Sequence, residues 1–294
     1  MKAFVVMIVL FFGTSSVLAI DVVKYPWVGK AFSTSDGYYA ALLELALEKS
    51  KDKFGPYEIQ QVVAGESQEH MVRLIQEEKF VNLFWTMTSS KREELLTPIR
   101  FPLFKGLLGC RVFLIKKGQQ TRFDHLTDAE QLKTLFAGQG EDWPDTEILS
   151  AHRFTLATSS KDVNLFKMLS KERFDYFPRA LHEARLEALE HPDLTIEKRF
   201  LLYYDSPFYF FVNKTNQRLA QRLTFGLNVA LEDGSFEQFF NTHPVSADLL
   251  NQFNLAQREL LILDNPSLSQ QSRQALNKLA TRENCIGKSR NKLH

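Results

Sequence analysis

The stretch from residue 201 to 240, LLYYDSPFYFFVNKTNQRLAQRLTFGLNVALEDGSFEQFF, constrains the fold most, because it packs two extended segments and a helix into little more than forty residues' reach. The aromatic and β-branched run 208–212 favours a strand. Leu219, Leu223, Leu227 and Leu231 recur every fourth residue and mark one face of an amphipathic helix, which Gly234 ends. A strand, a crossing segment, a second strand and a long helix in that order read as a chain returning from one lobe to another. An outward crossing is then required upstream. Residues 86–117, TMTSSKREELLTPIRFPLFKGLLGCRVFLIKK, supply it: a Thr/Ser cluster, Arg92 at the third position after Ser89, an apolar stretch with proline, and Lys105-Gly106 before a new strand.

Strand and helix signals alternate on both sides of these crossings. Residues 22–25, 57–63 and 81–85 read as strands, with helices over 38–49 and 68–77 between them. Past Gly106 the pattern restarts: a strand at 112–115, a helix over 127–136 opened by a Thr127/Glu130 capping box, a glycine loop at 137–149, then strands at 153–158 and 173–177 and helices at 163–170 and 180–190. Strands separated by helices of this length imply an α/β fold in which each lobe is a mostly parallel sheet flanked by helices, joined by two hinge crossings. Residues 20–103 and 208–294 are expected to form the first lobe, with residues 104–207 inserted as the second. The tail after Pro244 carries helical patterns at 247–258 and 269–282 and is expected to wrap the first lobe.

Lys2, the apolar run 3–12 and the small residues Ser15, Ser16 and Ala19 have the order of a secretory signal peptide, so residues 1–19 are read as cleaved after Ala19. Position 20 is Ile rather than the Cys of a lipoprotein, which implies a soluble chain in the periplasm. The formal net charge of +1 gives no drive toward nucleic acid, and 44% apolar with 24% charged residues is ordinary globular composition. Cys110 and Cys285 are too far apart in sequence to read as a metal pair; a disulfide is open to them in an oxidising compartment, but Cys110 opens an apolar run, and a free, buried pair is the preferred reading.

No motif for catalysis, a cofactor or a metal emerges. The glycines fit neither a Walker loop nor a dinucleotide fingerprint, the seven histidines lack ligand spacing, and no nucleophile signature is present. The candidates are binding residues. Tyr25, Trp27 and Trp85 stand at strand C-terminal ends, outside which ligands of α/β sheets bind. In the loop AGQGEDWPDTEIL, Gly140 permits close approach of a ligand, Trp143 offers a ring, and Asp145 or Thr146 can cap the turn that follows. Glu183 faces the same side as Arg179 on the helix of the second lobe.

With these motifs in hand, the chain to about Phe240 resembles the type II extracellular solute-binding proteins, above all their amino-acid-binding branch. The segments RFPLFKGLLG, GQGEDWPDT, MLSKERFDYFPRALHEA and YYDSPFYFFVNKTNQRLA look like those of proteobacterial transporter substrate-binding-domain proteins with no assigned ligand. The resemblance implies a monomer that closes on a small polar ligand bearing a carboxylate and delivers it to a membrane permease or sensor, as in ABC transport. It implies that Arg92, after the cluster containing Thr86 and Thr88, clamps the ligand carboxylate through its planar guanidinium. In the second lobe Arg179 stands where such binders place an acidic residue for the ligand ammonium, so Arg92 and Arg179 together imply a ligand more negative than a neutral α-amino acid. Two rivals remain: a dehydratase-like enzyme on the same fold, using Glu141, Asp142, Asp145 and Glu183, and a sensing module without transport.

Overall fold

The computed structural model describes residues 20–26, 35–63, 67–279, 283 and 285. The segment read as a signal peptide and Trp27 lie outside them. The first part of the chain contains β1 (Asp21–Pro26), α1 (Ser35–Lys49), α2 (Lys51–Phe54), β2 (Tyr57–Val62), α3 (Gln68–Glu77), β3 (Leu83–Met87), α4 (Ser90–Leu95) and β4 (Thr97–Ile99). The inserted part opens with β5 (Cys110–Lys116), α5 (Gln120–Asp124), β6 (Phe136–Gly140), α6 (Pro144–Ala151) and β7 (Thr155–Ser159). It continues with α7 (Asp162–Ser170), β8 (Phe177–Ala180), α8 (Leu181–Glu190), β9 (Leu194–Ile196) and β10 (Phe200–Tyr203). The chain then returns through β11 (Phe208–Val212), α9 (Gln217–Glu232) and α10 (Ser235–Thr242), and ends in β12 (Glu259–Ile262) and α11 (Gln270–Leu279).

The strands sort into two lobes. In the first, β1 pairs in parallel with β2, while β11 lies between β3 and β4. In the second, the order is β12-β10-β5-β8, with β9 also on β5, and the parallel pair β6-β7 abuts β8 through a bridge between Ala137 and Tyr176. The α/β class is as the alternation implied, with a more mixed pairing. β11 runs antiparallel to β3 and β4, and β5 runs antiparallel to β8, β9 and β10. Both follow a crossing, and each lies between two strands that run against it.

Local packing follows the sequence closely in α9. Leu219, Leu223 and Leu227 are buried, and Gly226 brings the helix so close to α1 that a Cβ there would meet the Ala46 carbonyl oxygen at 1.8 Å. Leu231 is 38% exposed, while Ala230 beside it is buried. From the same helix, fully buried Arg222 donates to Asp21 at 2.7 Å and to the Gly55 carbonyl at 2.7 Å, pinning α9 to β1 and to the end of α2.

The tail departs from expectation. It leaves α10, meets α8 through Arg185 Nη2 to the Pro244 carbonyl at 2.7 Å, and adds β12 in parallel to β10 of the second lobe. Arg258 fastens this passage, donating to the carbonyls of Glu197 at 2.7 Å and Phe200 at 3.0 Å. The chain then returns to the first lobe, where Ser90 N donates to Ser267 O at 2.7 Å and Ser272 Oγ to Glu93 at 2.6 Å. An open strand edge with apolar residues on both faces, as at β10, is satisfied only by another strand, and the tail provides it. Cys110 and Cys285, read as a free pair, are joined as a disulfide with Cα atoms 5.8 Å apart, so the start of β5 is tied to the chain beyond α11.

Candidate functional site

A cavity of about 900 Å³ lies between the lobes. Its first-lobe wall is built by α1, α3, β3 and β11, which present Asp36, Tyr39, Gln68, Trp85 and Phe208. Tyr39 stacks on Phe208 with ring centroids 4.8 Å apart, and Trp85 lies 6.0 Å from Tyr39. Trp85 Nε1 donates to Asp36 at 3.3 Å, which sets the indole edge against the one carboxylate of this wall among the described residues.

The second-lobe wall is charged. Arg111, on β5, lies 2.8 Å from Asp145 of α6 and 3.6 Å from Glu183 of α8, and its guanidinium sits over the Tyr204 ring at 5.3 Å. Tyr204 donates its hydroxyl to the same Asp145. Arg179 makes a bidentate pair with Glu187, its closest approach 2.6 Å, and lies 3.4 Å from Glu183. Its guanidinium covers Trp143 at 5.0 Å and Phe177 at 4.8 Å. Burial works against charge on both arginines, and the carboxylates more than offset it: Asp145 first for Arg111, Glu183 and then Glu187 for Arg179, so both pKa values are raised. The same contacts act on Glu183 in the other direction. Burial opposes its charge, yet Arg179, His182 and Arg111 bring its pKa down to about 2.

Behind this wall, His182 stacks on Phe104 at 4.3 Å, and neither ring nitrogen has a hydrogen-bond partner among the described residues. Burial, aided by the neighbouring arginines and opposed by Glu183, lowers its pKa to about 4.

Of the residues singled out in the sequence, Trp85, Trp143, Asp145, Arg179 and Glu183 line the cavity. The others among the described residues stand behind it. Tyr25 is buried at the end of β1, accepting from Gln61 Nε2 at 2.9 Å. Thr88 donates to Glu93 at 2.7 Å, and Thr146 to the Gly140 carbonyl at 2.6 Å. Gly140 is not part of a loop but the last residue of β6, and a Cβ there would fall 2.3 Å from the Trp143 ring. Gly138 is closed by Phe174 in the same way, at 2.2 Å. These glycines make room for aromatic rings rather than for an anion.

Arg92 is also withdrawn from the cavity. Its Nη1 donates to Thr86 Oγ1 at 2.6 Å and the Met87 carbonyl at 2.8 Å; its Nη2 donates to Gln68 Oε1 at 2.8 Å and the Asp142 carbonyl at 3.1 Å. All four terminal N–H bonds are thereby used. Burial pulls its pKa down to about 10, while Asp142 and Asp145 push the other way. Beside it, the Asp142 carboxylate accepts from the Glu69 amide at 2.8 Å, in the first turn of α3. A rim residue of the second lobe thus reaches across and occupies both donors.

Sequence reasoning missed Arg111, Tyr39, Asp36 and Phe208. Arg111 had a signal: it is the one charge in the run CRVFLI, and a cation in an otherwise apolar strand must be paired when buried. No group of three or more potential metal ligands occurs among the described residues, and none of their helices is long and apolar enough to cross a membrane.

No protein-family model and no curated protein sequence matches the chain. Solved structures do. A periplasmic binding protein of Salmonella typhimurium, described as highly specific for arginine, superposes with a TM-score of 0.58 at 15% identity, over 76% of this chain and 99% of that one. An amino-acid ABC transporter substrate-binding protein of Streptococcus pneumoniae, bound to L-arginine, gives 0.56 at 12% identity over 76% and 93%. A histidine kinase sensor domain similar to periplasmic binding proteins gives 0.54 at 13% identity over 76% and 94%. The chain has the two-lobed fold of the type II periplasmic binding proteins.

Proposed function

We propose that the protein captures a small polar ligand between its lobes and presents the ligand-bound form to a membrane partner, either an ABC-type permease or a sensor, after export to the periplasm. The observation that carries this reading is the cavity itself: about 900 Å³, the size of a small-molecule site, and walled by both lobes. Contacts from both sides stabilise the closed arrangement, and only such differential contact shifts an open–closed equilibrium. On this reading residues 104–207, together with β12, move against the remainder. Glu183, held ionised between the guanidiniums of Arg111 and Arg179, is a poor proton donor at neutral pH, which speaks against general-acid chemistry at this position.

The carboxylate expected on the ligand rested on Arg92 as a clamp. With its terminal N–H groups committed inside the protein, the charge of the ligand falls to the cavity walls to decide. Native mass spectrometry of the protein as exported tests the proposal, with a retained small molecule of fixed mass expected. Small-angle scattering should then show compaction on adding it back; a ligand that binds without any change in dimension would overturn the closing cleft.

A further inference from the structure

We infer that the cleft takes a cation, an amine or a guanidinium, that needs no carboxylate, because the protein's own Asp142 holds the donors that an incoming carboxylate would use. This rests on the cleft being a ligand site, and three observations support it.

The first is occupancy. Arg92 and the amide of Glu69 form the anion-binding corner on the first-lobe side, a guanidinium beside the opening turn of a ten-residue helix. Asp142 fills it from the opposite lobe, with its carboxylate on Glu69 N and its carbonyl on Arg92 Nη2. A ligand carboxylate would have to displace both contacts.

The second is charge. Among the described residues lining the cavity, six carboxylates (Asp36, Asp145, Asp162, Glu183, Glu187 and Glu190) face four cations (Arg111, Lys167, Lys171 and Arg179), a net of −2 with histidine neutral. Both arginines already face carboxylates, Arg111 at 2.8 Å from Asp145 and Arg179 at 2.6 Å from Glu187, with Glu183 near both; of their buried donors, Arg111 Nε alone has no hydrogen-bond partner among the described residues. A cation restores the balance and an anion worsens it.

The third is the aromatic side. Tyr39, Trp85 and Phe208 offer ring surface to a cation, as Trp143 already does to Arg179. The buried Tyr39 hydroxyl has no hydrogen-bond partner among the described residues. It lies within the fields of Glu183 from one lobe and Asp36 from the other, which add to burial in raising its pKa. A hydroxyl oxygen held neutral between two carboxylates is an acceptor suited to an N–H of an ammonium or guanidinium.

Calorimetry of the whole mature protein with agmatine, putrescine, L-arginine, L-glutamate and succinate tests this. Agmatine is arginine without its carboxylate. Agmatine or putrescine should bind within about threefold of arginine or tighter, with no binding of succinate or glutamate. Asp36→Asn should weaken agmatine by about tenfold or more, and Tyr39→Phe by about threefold, at unchanged melting temperature. Arginine binding about tenfold or more tighter than agmatine would show that a carboxylate is read and would overturn the inference, as would tightest binding of glutamate or succinate. Silence from both amines overturns it too. The retained mass seen in native spectra then decides separately whether the cleft is a ligand site.

Discussion

The two walls of the cleft are built on opposite principles. The first-lobe wall is largely aromatic, with Tyr39, Trp85 and Phe208 around Asp36, the one carboxylate it presents among the described residues. The second-lobe wall is a network of two arginines, three carboxylates and a tyrosine hydroxyl already joined to one another. A network of this kind is rigid before any ligand arrives, since breaking one member leaves a buried charge alone. An aromatic wall loses only contact area when altered. Changes to the charged wall should therefore be felt in folding, and changes to the aromatic wall in binding.

The largest effect expected is at Arg111. Arg111→Leu leaves the Asp145 carboxylate buried without its counter-charge, and a loss of about 3–5 kcal/mol in urea unfolding is predicted. An unchanged midpoint would mean that the charged wall is no preformed network.

The walls should also fail at opposite ends of the pH scale. Folded His182 stays neutral to about pH 4, whereas the unfolded residue takes its proton near 6.5. The unfolded state therefore binds the proton first, and stability falls as pH drops from 6.5 to about 4, by roughly 3 kcal/mol for this depression of the pKa. Glu183 extends the loss further down: its stabilising charge is present above pH 4.5 and is lost as pH falls to about 2. Tyr39 in the aromatic wall acts at the alkaline end. With its pKa raised in the folded state, the unfolded chain ionises first above pH 10, and stability declines from there. Urea midpoints across pH, in the parent and in His182→Phe, measure this; the variant should flatten the slope between pH 6.5 and 4, and an unaltered slope would remove His182 from the account.

The smallest effect is at the contact between the walls. Asp142→Ala removes the carboxylate from the Glu69 amide, a cap worth about 1 kcal/mol, and the unliganded protein should then populate wider forms in small-angle scattering. Identical profiles for parent and variant would show that this rim contact does not hold the lobes together.

The outline of the fold was legible because it rests on periodicity. The leucine face of α9 and the helix now seen as α1 follow from apolar spacing, while the type II fold was implied by the resemblance carried by the two crossing segments. What depended on partners far away in sequence was not legible. The glycine run 137–149 has a loop's composition, yet its first residues form β6 because Phe174 and Trp143 cover faces that any side chain would obstruct. Thr127 looked like a cap, but Asp128 one residue on accepts from Gln131 N at 3.2 Å. Arg179 was noticed in the sequence because the resemblance puts it where an acidic residue is expected, whereas Arg111 stands inside an apolar strand with no such pointer. The cysteine pairing required knowing that the tail comes back to the start of β5.

That return has a consequence in time. β10 lies between β5 and β12, and β12 is made after both. While synthesis or export proceeds from the N-terminus, the strand Phe200–Tyr203 has β5 on one side and nothing on the other, an apolar edge open to any extended chain nearby. A strand made later thus seals a vulnerability created earlier. Chains cut before Glu259 should associate into aggregates rather than persist as slightly weaker monomers, since they keep the β10 edge and lack the strand that covers it.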